Sequence, residues 1–319
     1  MKIRSFRGVA LFLALIFVLG TIISSCNKTN TPSNNNNGTN SIITILQGAS
    51  DATVFVSALA RVHLDTVLNG TGPYTLFAPT NDALAASGVT TAYLNSLPDD
   101  SLKKILLYHI VGANLLSGGL PAGPNAKLIA GNGDSIFVTK NVSGIFINGF
   151  PLITGDIVAS NGVIDALSHI LLPAKGNIIE TLQSDTSFTY ILAAIHRASQ
   201  GSTNLDSLLS VGGIYTLFAP INSGFRAAGF ATIDDINNLP ADSAANLVQY
   251  HILPSRTFTS DMTNTQSRVT LNGSNIVFVS TSGQMQIQGN KNNGAANALS
   301  VNVVTRNGVL FAIDKVLLP

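Results

Sequence analysis

The amino-acid sequence predicts two tandem α+β domains. The length of 319 residues suits about two domains. Two long stretches of the chain resemble each other, and within each stretch helical spacing of apolar residues precedes strand patterns. The composition, 45% hydrophobic and only 10% charged, agrees with a sheet-rich fold, because exposed helices depend more on charged pairs.

Residues 1–25 are predicted to be a signal peptide and not part of the fold. Three cations precede an almost unbroken apolar run, Val9 to Ile23, which is too short to span a membrane. Cys26, the single cysteine, follows small residues and resembles the lipobox of bacterial lipoproteins, in which this thiol carries a diacylglycerol. We therefore expect lipidation of Cys26 and attachment to the bacterial cell envelope, at the outer membrane or cell surface. The alternative is an ordinary signal peptide with a chance cysteine.

Residues 26–40 are expected to form a disordered tether. Residues 27–40 contain seven asparagines and no apolar side chain, so nothing there offsets the entropy lost on ordering. Without the leader, 14 lysines and arginines face 16 acidic residues. This balance provides no basic field for nucleic acid, so we expect no nucleic-acid partner.

Five pairs of segments indicate that one domain-sized unit occurs twice. Their separation drifts from 136 to 146 positions, as small loop insertions would cause, and this period is too long for a solenoid. The predicted domains are 41–174 and 175–319. The matching segments are 41–47 with 177–183, 58–61 with 193–197, 74–84 with 215–225, 94–111 with 236–253, and 161–173 with 307–319.

The first shared phrase, YTLFAP, is predicted to be a strand that turns into a helix. Both of its alternating faces carry apolar groups, so we expect burial on both sides. Pro79 and Pro220 end the strand because proline lacks an N–H. Asn81 and Asn222 then stand where a helix N-cap belongs. All four residues are expected to be structural.

The second shared phrase, Tyr-His, ends a predicted helix that Asp100 or Asp242 is expected to cap. Each histidine lies on the apolar stripe of its helix and is predicted to be a core residue bonded to the backbone. No second shared histidine, cysteine or carboxylate completes a catalytic or ligand set. We therefore expect no catalytic residue, no metal and no cofactor. The motifs are Tyr108-His109 and Tyr250-His251.

After the Tyr-His motif each copy shows only strand patterns. Runs of β-branched residues alternate with Gly, Asn and Ser turns, which indicates an antiparallel sheet. The copies close with NGVIDALSHILLP and NGVLFAIDKVLLP.

TLFAPTNDAL, the Tyr-His pair and NGVIDALSHILLP resemble the signature motifs of fasciclin (FAS1) domains, in both copies and over nearly all of 41–319. The resemblance implies a seven-stranded β-wedge with helices packed over it in each copy, and extracellular adhesion as the usual role. In animal members an Asp-Ile pair and the Tyr-His region are assigned to receptor binding. The candidate ligand-binding residues are accordingly Asp156, Ile157, Tyr108, His109, Tyr250 and His251.

The leading hypothesis is a membrane-anchored, non-enzymatic adhesion or binding module outside the cytoplasm. Its expected partners are the membrane, through lipid on Cys26, and a protein or glycan in the matrix or on cell surfaces. The alternative is a carrier of a carotenoid-like or lipid-like molecule, because some family members bind carotenoids and the low charge permits an apolar pocket. A hydrolase is the least favoured hypothesis.

Overall fold

The computed structural model describes residues 38–281 and 283–319. Cys26, the predicted leader and most of the predicted tether lie outside these residues. The part of the tether that is described, residues 38–40, lies against the first domain, where the Ser160 N–H donates to the Asn40 carbonyl over 2.8 Å. Among the described residues no helix has the length and apolar character needed to cross a membrane.

The first domain has six helices and seven strands among its described residues. Its helices are α1 (Ile42–Gln47), α2 (Thr53–Arg61), α3 (Leu64–Leu68), α4 (Asn81–Ala86), α5 (Thr91–Ser96) and α6 (Asp99–Leu107). Its strands are β1 (Tyr74–Pro79), β2 (Ile110–Val111), β3 (Ala126–Ile129), β4 (Ser135–Asn141), β5 (Gly144–Ile147), β6 (Phe150–Ala159) and β7 (Gly162–Leu167).

The second domain repeats this order. Its helices are α7 (Ile178–Gln183), α8 (Thr189–Ala198), α9 (Leu205–Ser210), α10 (Asn222–Ala227), α11 (Ile233–Asn237) and α12 (Ala241–Tyr250), with 3₁₀ turns at Thr186–Phe188 and Thr259–Asp261. Its strands are β8 (Tyr215–Pro220), β9 (Ile252–Leu253), β10 (Ser267–Val269), β11 (Asn275–Thr281), β12 (Gln284–Gln288), β13 (Ala296–Thr305) and β14 (Gly308–Ile313). The predicted α+β class and the seven strands of each copy are confirmed.

Each domain forms one seven-stranded sheet, ordered β2-β1-β7-β6-β5-β4-β3 in the first and β10-β11-β12-β13-β14-β8-β9 in the second. The sheets are mixed: β1 runs parallel to β7 and β8 runs parallel to β14. The strands that follow the Tyr-His motif, β3 to β7 and β10 to β14, pair antiparallel with their neighbours, as predicted. The early strand and the closing strand of each copy are far apart in sequence, so their pairing needs no tight turn and can be parallel.

The strand β1 is buried on both faces, as predicted. Leu76 belongs to the core beneath the helices, whereas Phe77 belongs to a second core on the other side of the sheet. Leu217 and Phe218 divide in the same way in the second domain. Each domain therefore holds two apolar cores, separated by its central strands.

Asn81 and Asn222 do not cap their own helices, contrary to the prediction. Thr80 is the N-cap of α4, and Asn81 is the first residue of that helix. The Asn81 side chain instead accepts from the Val54 N–H at the start of α2, over 3.1 Å. Asn222 accepts from the Tyr190 N–H at the start of α8, over 3.1 Å. Each asparagine thus satisfies a free donor of a neighbouring helix and joins the end of the central strand to it.

Asp100 and Asp242 were also expected to be N-caps, and this too was wrong. The N-cap positions of α6 and α12 are Pro98 and Pro240, and neither helix has a side-chain cap. The two carboxylates lie two positions further, in the first turn. Negative charge is favourable there because the helix dipole presents its positive end.

The two domains contact each other along β4 of the first domain. The Phe137 ring lies 5.9 Å from the Phe258 ring, and the Arg256 guanidinium lies over Phe137 at 4.0 Å. The Asn125 amide donates to the Arg256 carbonyl over 2.9 Å and to the Asp261 carboxylate over 3.1 Å. An apolar contact with paired polar groups around it holds the domains in a defined arrangement.

Candidate functional site

The histidine of the first Tyr-His motif links two parts of the first domain. His109 is fully buried. Its Nδ1 lies 2.9 Å from the Ile105 carbonyl oxygen, and its Nε2 lies 2.9 Å from the Leu171 amide nitrogen. A carbonyl only accepts and an amide N–H only donates, so Nδ1 carries the proton and Nε2 accepts. The ring is therefore neutral and joins the end of α6 to the closing LLP segment.

The second domain repeats this geometry. His251 is fully buried, its Nδ1 lies 2.8 Å from the Leu247 carbonyl, and its Nε2 lies 2.8 Å from the Leu317 amide nitrogen. Burial lowers the pKa of both histidines, His109 and His251, to about 4. The prediction that these histidines are core residues bonded to the backbone is confirmed.

The two tyrosines are also bonded internally. The Tyr108 hydroxyl donates to the Ser135 carbonyl over 2.7 Å and accepts from the Asn148 amide over 3.0 Å. The Tyr250 hydroxyl donates to the Asn275 carbonyl over 2.6 Å. Burial raises the pKa of both phenols. Neither Tyr-His pair has exposed surface, so the expectation that these four residues contact an external ligand does not fit the structure.

Asp156 lies at a bulge of β6, with a φ of 62° in the left-handed region. Its carboxylate accepts from the Ser117 N–H over 2.6 Å and from the Ser117 hydroxyl. At the matching bulge of β13, Asn302 has a φ of 59° and accepts from the Thr259 N–H over 2.9 Å. The position therefore holds the loop after β2 or β9 in both copies, and it does so with or without a charge. Its neighbour Ile157 is half-buried against the helical core.

Asp165 is a buried acid that the sequence analysis missed. It lies in β7 with no exposed surface, and one of its oxygens accepts from the Asp156 N–H over 3.0 Å. Its other oxygen has no hydrogen-bond partner among the residues that the structure describes. Burial, together with the nearby Asp156 charge, raises the pKa of Asp165 to about 6. The second copy has Phe311 at this position, so the isolated acid in the apolar run GVIDAL was the available signal.

The arginine that both copies share is also used within the fold. Arg61 donates to the Leu97 carbonyl over 2.6 Å, and Arg197 donates to the matching Leu239 carbonyl over 2.6 Å. Among the described residues, no group of three or more His, Cys, Asp or Glu side chains could hold a metal ion. The titratable residues that recur in both copies thus stabilise the fold.

A cleft of about 1120 Å³ lies between the two domains. The Phe150 ring stacks on the His169 ring with 4.2 Å between centroids, and burial lowers the pKa of His169. Polar groups in the walls, such as Asn148 and Asn302, are already bonded within the protein. Sequence reasoning missed the cleft because its walls come from both copies. Its larger apolar and aromatic lining residues include Phe150, His169, Leu172, Met262, Met285 and Leu299.

A family model described as "Fasciclin domain" matches residues 50–173 and 178–319. Transforming growth factor-beta-induced protein ig-h3 of Sus scrofa is 28% identical over 256 residues, which cover 79% of this chain and 35% of that protein. Protein sll1483 of Synechocystis is 34% identical over 140 residues, covering 42% of this chain and 76% of that protein. Human periostin is 26% identical over 264 residues, covering 79% and 29%. The chain thus spans about a third of the length of the two animal relatives.

Among solved structures, the chain is similar to a FAS1 domain pair from the insect cell adhesion molecule Fasciclin I. The identity is 19%, the TM-score is 0.40, and the match covers 84% of this chain and 95% of that one.

Proposed function

Because the chain belongs to the fasciclin domain family, we propose that it is a non-enzymatic adhesion module that binds a protein or glycan outside the cytoplasm. Fasciclin domains occur in cell adhesion proteins. The observation that carries the proposal is the internal use of the shared Tyr-His and arginine motifs: both Tyr-His pairs and both arginines bond to the protein's own backbone. Recognition is therefore assigned to exposed residues that differ between the copies.

The proposal includes attachment to the bacterial cell envelope through lipid on Cys26. Its support is the leader with three cations, the apolar run and the single cysteine directly after small residues. Two linked domains at a membrane surface gain avidity, because a second weak contact becomes intramolecular once the first has formed.

We expect a strain that lacks this protein to lose much of its attachment to matrix-coated surfaces, and the wild-type gene to restore it. A Cys26→Ser variant should be exported but recovered in the soluble fraction, and it should not restore attachment. His196→Ala, a change at an exposed side chain, is the matched control and should restore attachment fully. Full attachment of the deletion strain would refute the adhesion proposal, whereas restoration by Cys26→Ser would refute only the lipid anchor.

The second candidate function is transport or storage of an apolar small molecule in the interdomain cleft. The cleft favours this function because apolar side chains such as Leu172 and Leu299 are exposed in its walls. Polar groups of the walls already have partners within the protein, so an apolar ligand would not leave them unpaired. Protein purified from its native host should then release a coloured or lipid-like compound into organic solvent. A Leu299→Asp variant should carry much less of it, because a charge would lie on the apolar wall. Ligand-free wild-type protein would remove the basis for this candidate.

A further inference from the structure

The loop after β9 in the second domain has a direct counterpart in the first. Both β2 and β9 pair with the central strand in the same antiparallel register. The loop that follows is held by the bulge residue in each copy, at Ser117 by Asp156 and at Thr259 by Asn302. Residues 113–120 therefore correspond to 255–262, and we call them the first-domain loop and the second-domain loop.

The surroundings of the two loops differ. In the second-domain loop, Phe258 has no exposed surface and packs near Phe137 of the first domain. Its counterpart in the first-domain loop, Leu116, is 47% exposed. The first domain thus carries an uncovered version of a surface that is an interface in the second domain.

The other half of this interface also has an uncovered counterpart. The first domain contacts the second-domain loop through β4, where Phe137 pairs with Lys127 of β3. The matching strand of the second domain is β11, where Val277 pairs with Ser267 of β10. Val269 lies on the same face of β10 and is 57% exposed. We call this surface the β10–β11 face.

The charged groups of the interdomain contact are not repeated at the two uncovered surfaces. The interdomain contact pairs Asn125 with Asp261 and stacks Arg256 on Phe137. None of these groups is kept at the matching positions of the uncovered surfaces. On the first-domain loop, Asn114 replaces Arg256 and Gly119 replaces Asp261. On the second domain, Thr265 replaces Asn125 and Val277 replaces Phe137. Contact between the two surfaces would place Leu116 against Val277. None of the replacing residues is charged, so none of them would bury an unpaired charge.

We propose that copies of this chain associate head to tail, with the first-domain loop of one copy docked on the β10–β11 face of the next. The contact continues the interdomain interface from one chain to another. It joins two different surfaces, so it leaves one of each free at the ends and produces open chains of copies. The inference goes beyond the proposed function, because adhesion to a matrix does not require self-association.

The test is sedimentation velocity of the full-length protein in a mild non-ionic detergent over a concentration series. We expect the wild type to form species larger than a dimer as its concentration rises. Leu116→Asp and Val277→Asp should each weaken association by at least about tenfold, because each places a charge in an apolar contact. An equimolar mixture of the two variants should form dimers, because each variant keeps one intact surface.

Two further variants keep the test decisive. Val269→Asp changes an exposed residue of the same face and replaces Val277→Asp if thermal melting shows that the latter is unfolded. Val211→Asp changes a residue that is 84% exposed and outside both surfaces, and it should associate like the wild type. A wild type that stays monomeric at every concentration would overturn the proposal. The proposal would also be overturned if Leu116→Asp abolished association while Val277→Asp left it unchanged. In that case the first-domain loop would pair with itself, and the β10–β11 face would take no part.

Discussion

Replacing His109 or His251 with alanine is expected to lower the free energy of unfolding of its domain by about 3 kcal/mol. Each change removes a buried ring and leaves a cavity. It also leaves a buried backbone donor unpaired, which is the Leu171 N–H in the first domain, and removes one of the two donors to the Ile105 carbonyl. A buried donor without a partner costs about 1–3 kcal/mol by itself.

Urea denaturation followed by circular dichroism measures this effect. His196→Ala is the matched control, because its side chain is 74% exposed, and its change should stay within about 0.5 kcal/mol. If the His109→Ala and His251→Ala variants unfolded at the wild-type urea concentration, the assignment of these histidines to the core would be wrong.

The second prediction is that mild acid destabilises the second domain more than the first. His251 has a pKa of about 4 in the fold and an ordinary value of 6.5. Between these two values the unfolded chain binds more protons than the folded one, so stability is lost as the pH falls from 6.5 to 4. The loss amounts to about 3 kcal/mol. His109 imposes the same loss on the first domain, and His169, whose pKa burial also lowers, adds to it.

Asp165 offsets this loss in the first domain only. Its pKa is raised from 3.8 to about 6, so between these values the folded domain binds more protons than the unfolded chain. Its contribution to stability therefore rises as the pH falls from 6 to 3.8, by about 3 kcal/mol. Phe311 occupies the matching position in the second domain and cannot titrate. The histidine loss there is uncompensated.

Pulsed hydrogen–deuterium exchange with mass spectrometry, after equilibration in urea at neutral pH and near pH 4.5, assigns unfolding to each domain. Peptides of the second domain should lose protection at a lower urea concentration in acid, while those of the first domain change less. In an Asp165→Asn variant the first domain should become as acid-sensitive as the second. Equal acid sensitivity of the two wild-type domains would show that Asp165 does not compensate His109.

Much of the fold could be predicted because the same sequence pattern occurs twice in the chain. The order of elements, the double burial of YTLFAP and the core position of the histidines all follow from apolar spacing, which depends on local sequence. The parallel pairing of β1 with β7 could not be derived in this way, because nothing in either strand encodes the direction of a distant partner. The direction of pairing is set only when the two distant strands come together in the folded domain.

The errors at the helix ends have one physical cause. An asparagine just before an apolar run is an expected N-cap, but Thr80 already fills that position, and Asn81 reaches across to Val54. Capping groups satisfy whichever free donor the tertiary structure brings near. The interdomain cleft was not predicted either, because Phe150 and Leu299 line one cavity only after the domains pack.

The central claim is that the shared Tyr-His motif holds the fold together and does not form a reactive or binding site. Nitrogen-15 NMR of the imidazole rings over a pH series tests it most directly. We predict that His109 and His251 stay neutral, with the proton on Nδ1, from neutral pH down to near pH 4. Titration of either ring near its ordinary pKa of about 6.5, or a proton on Nε2, would contradict the claim.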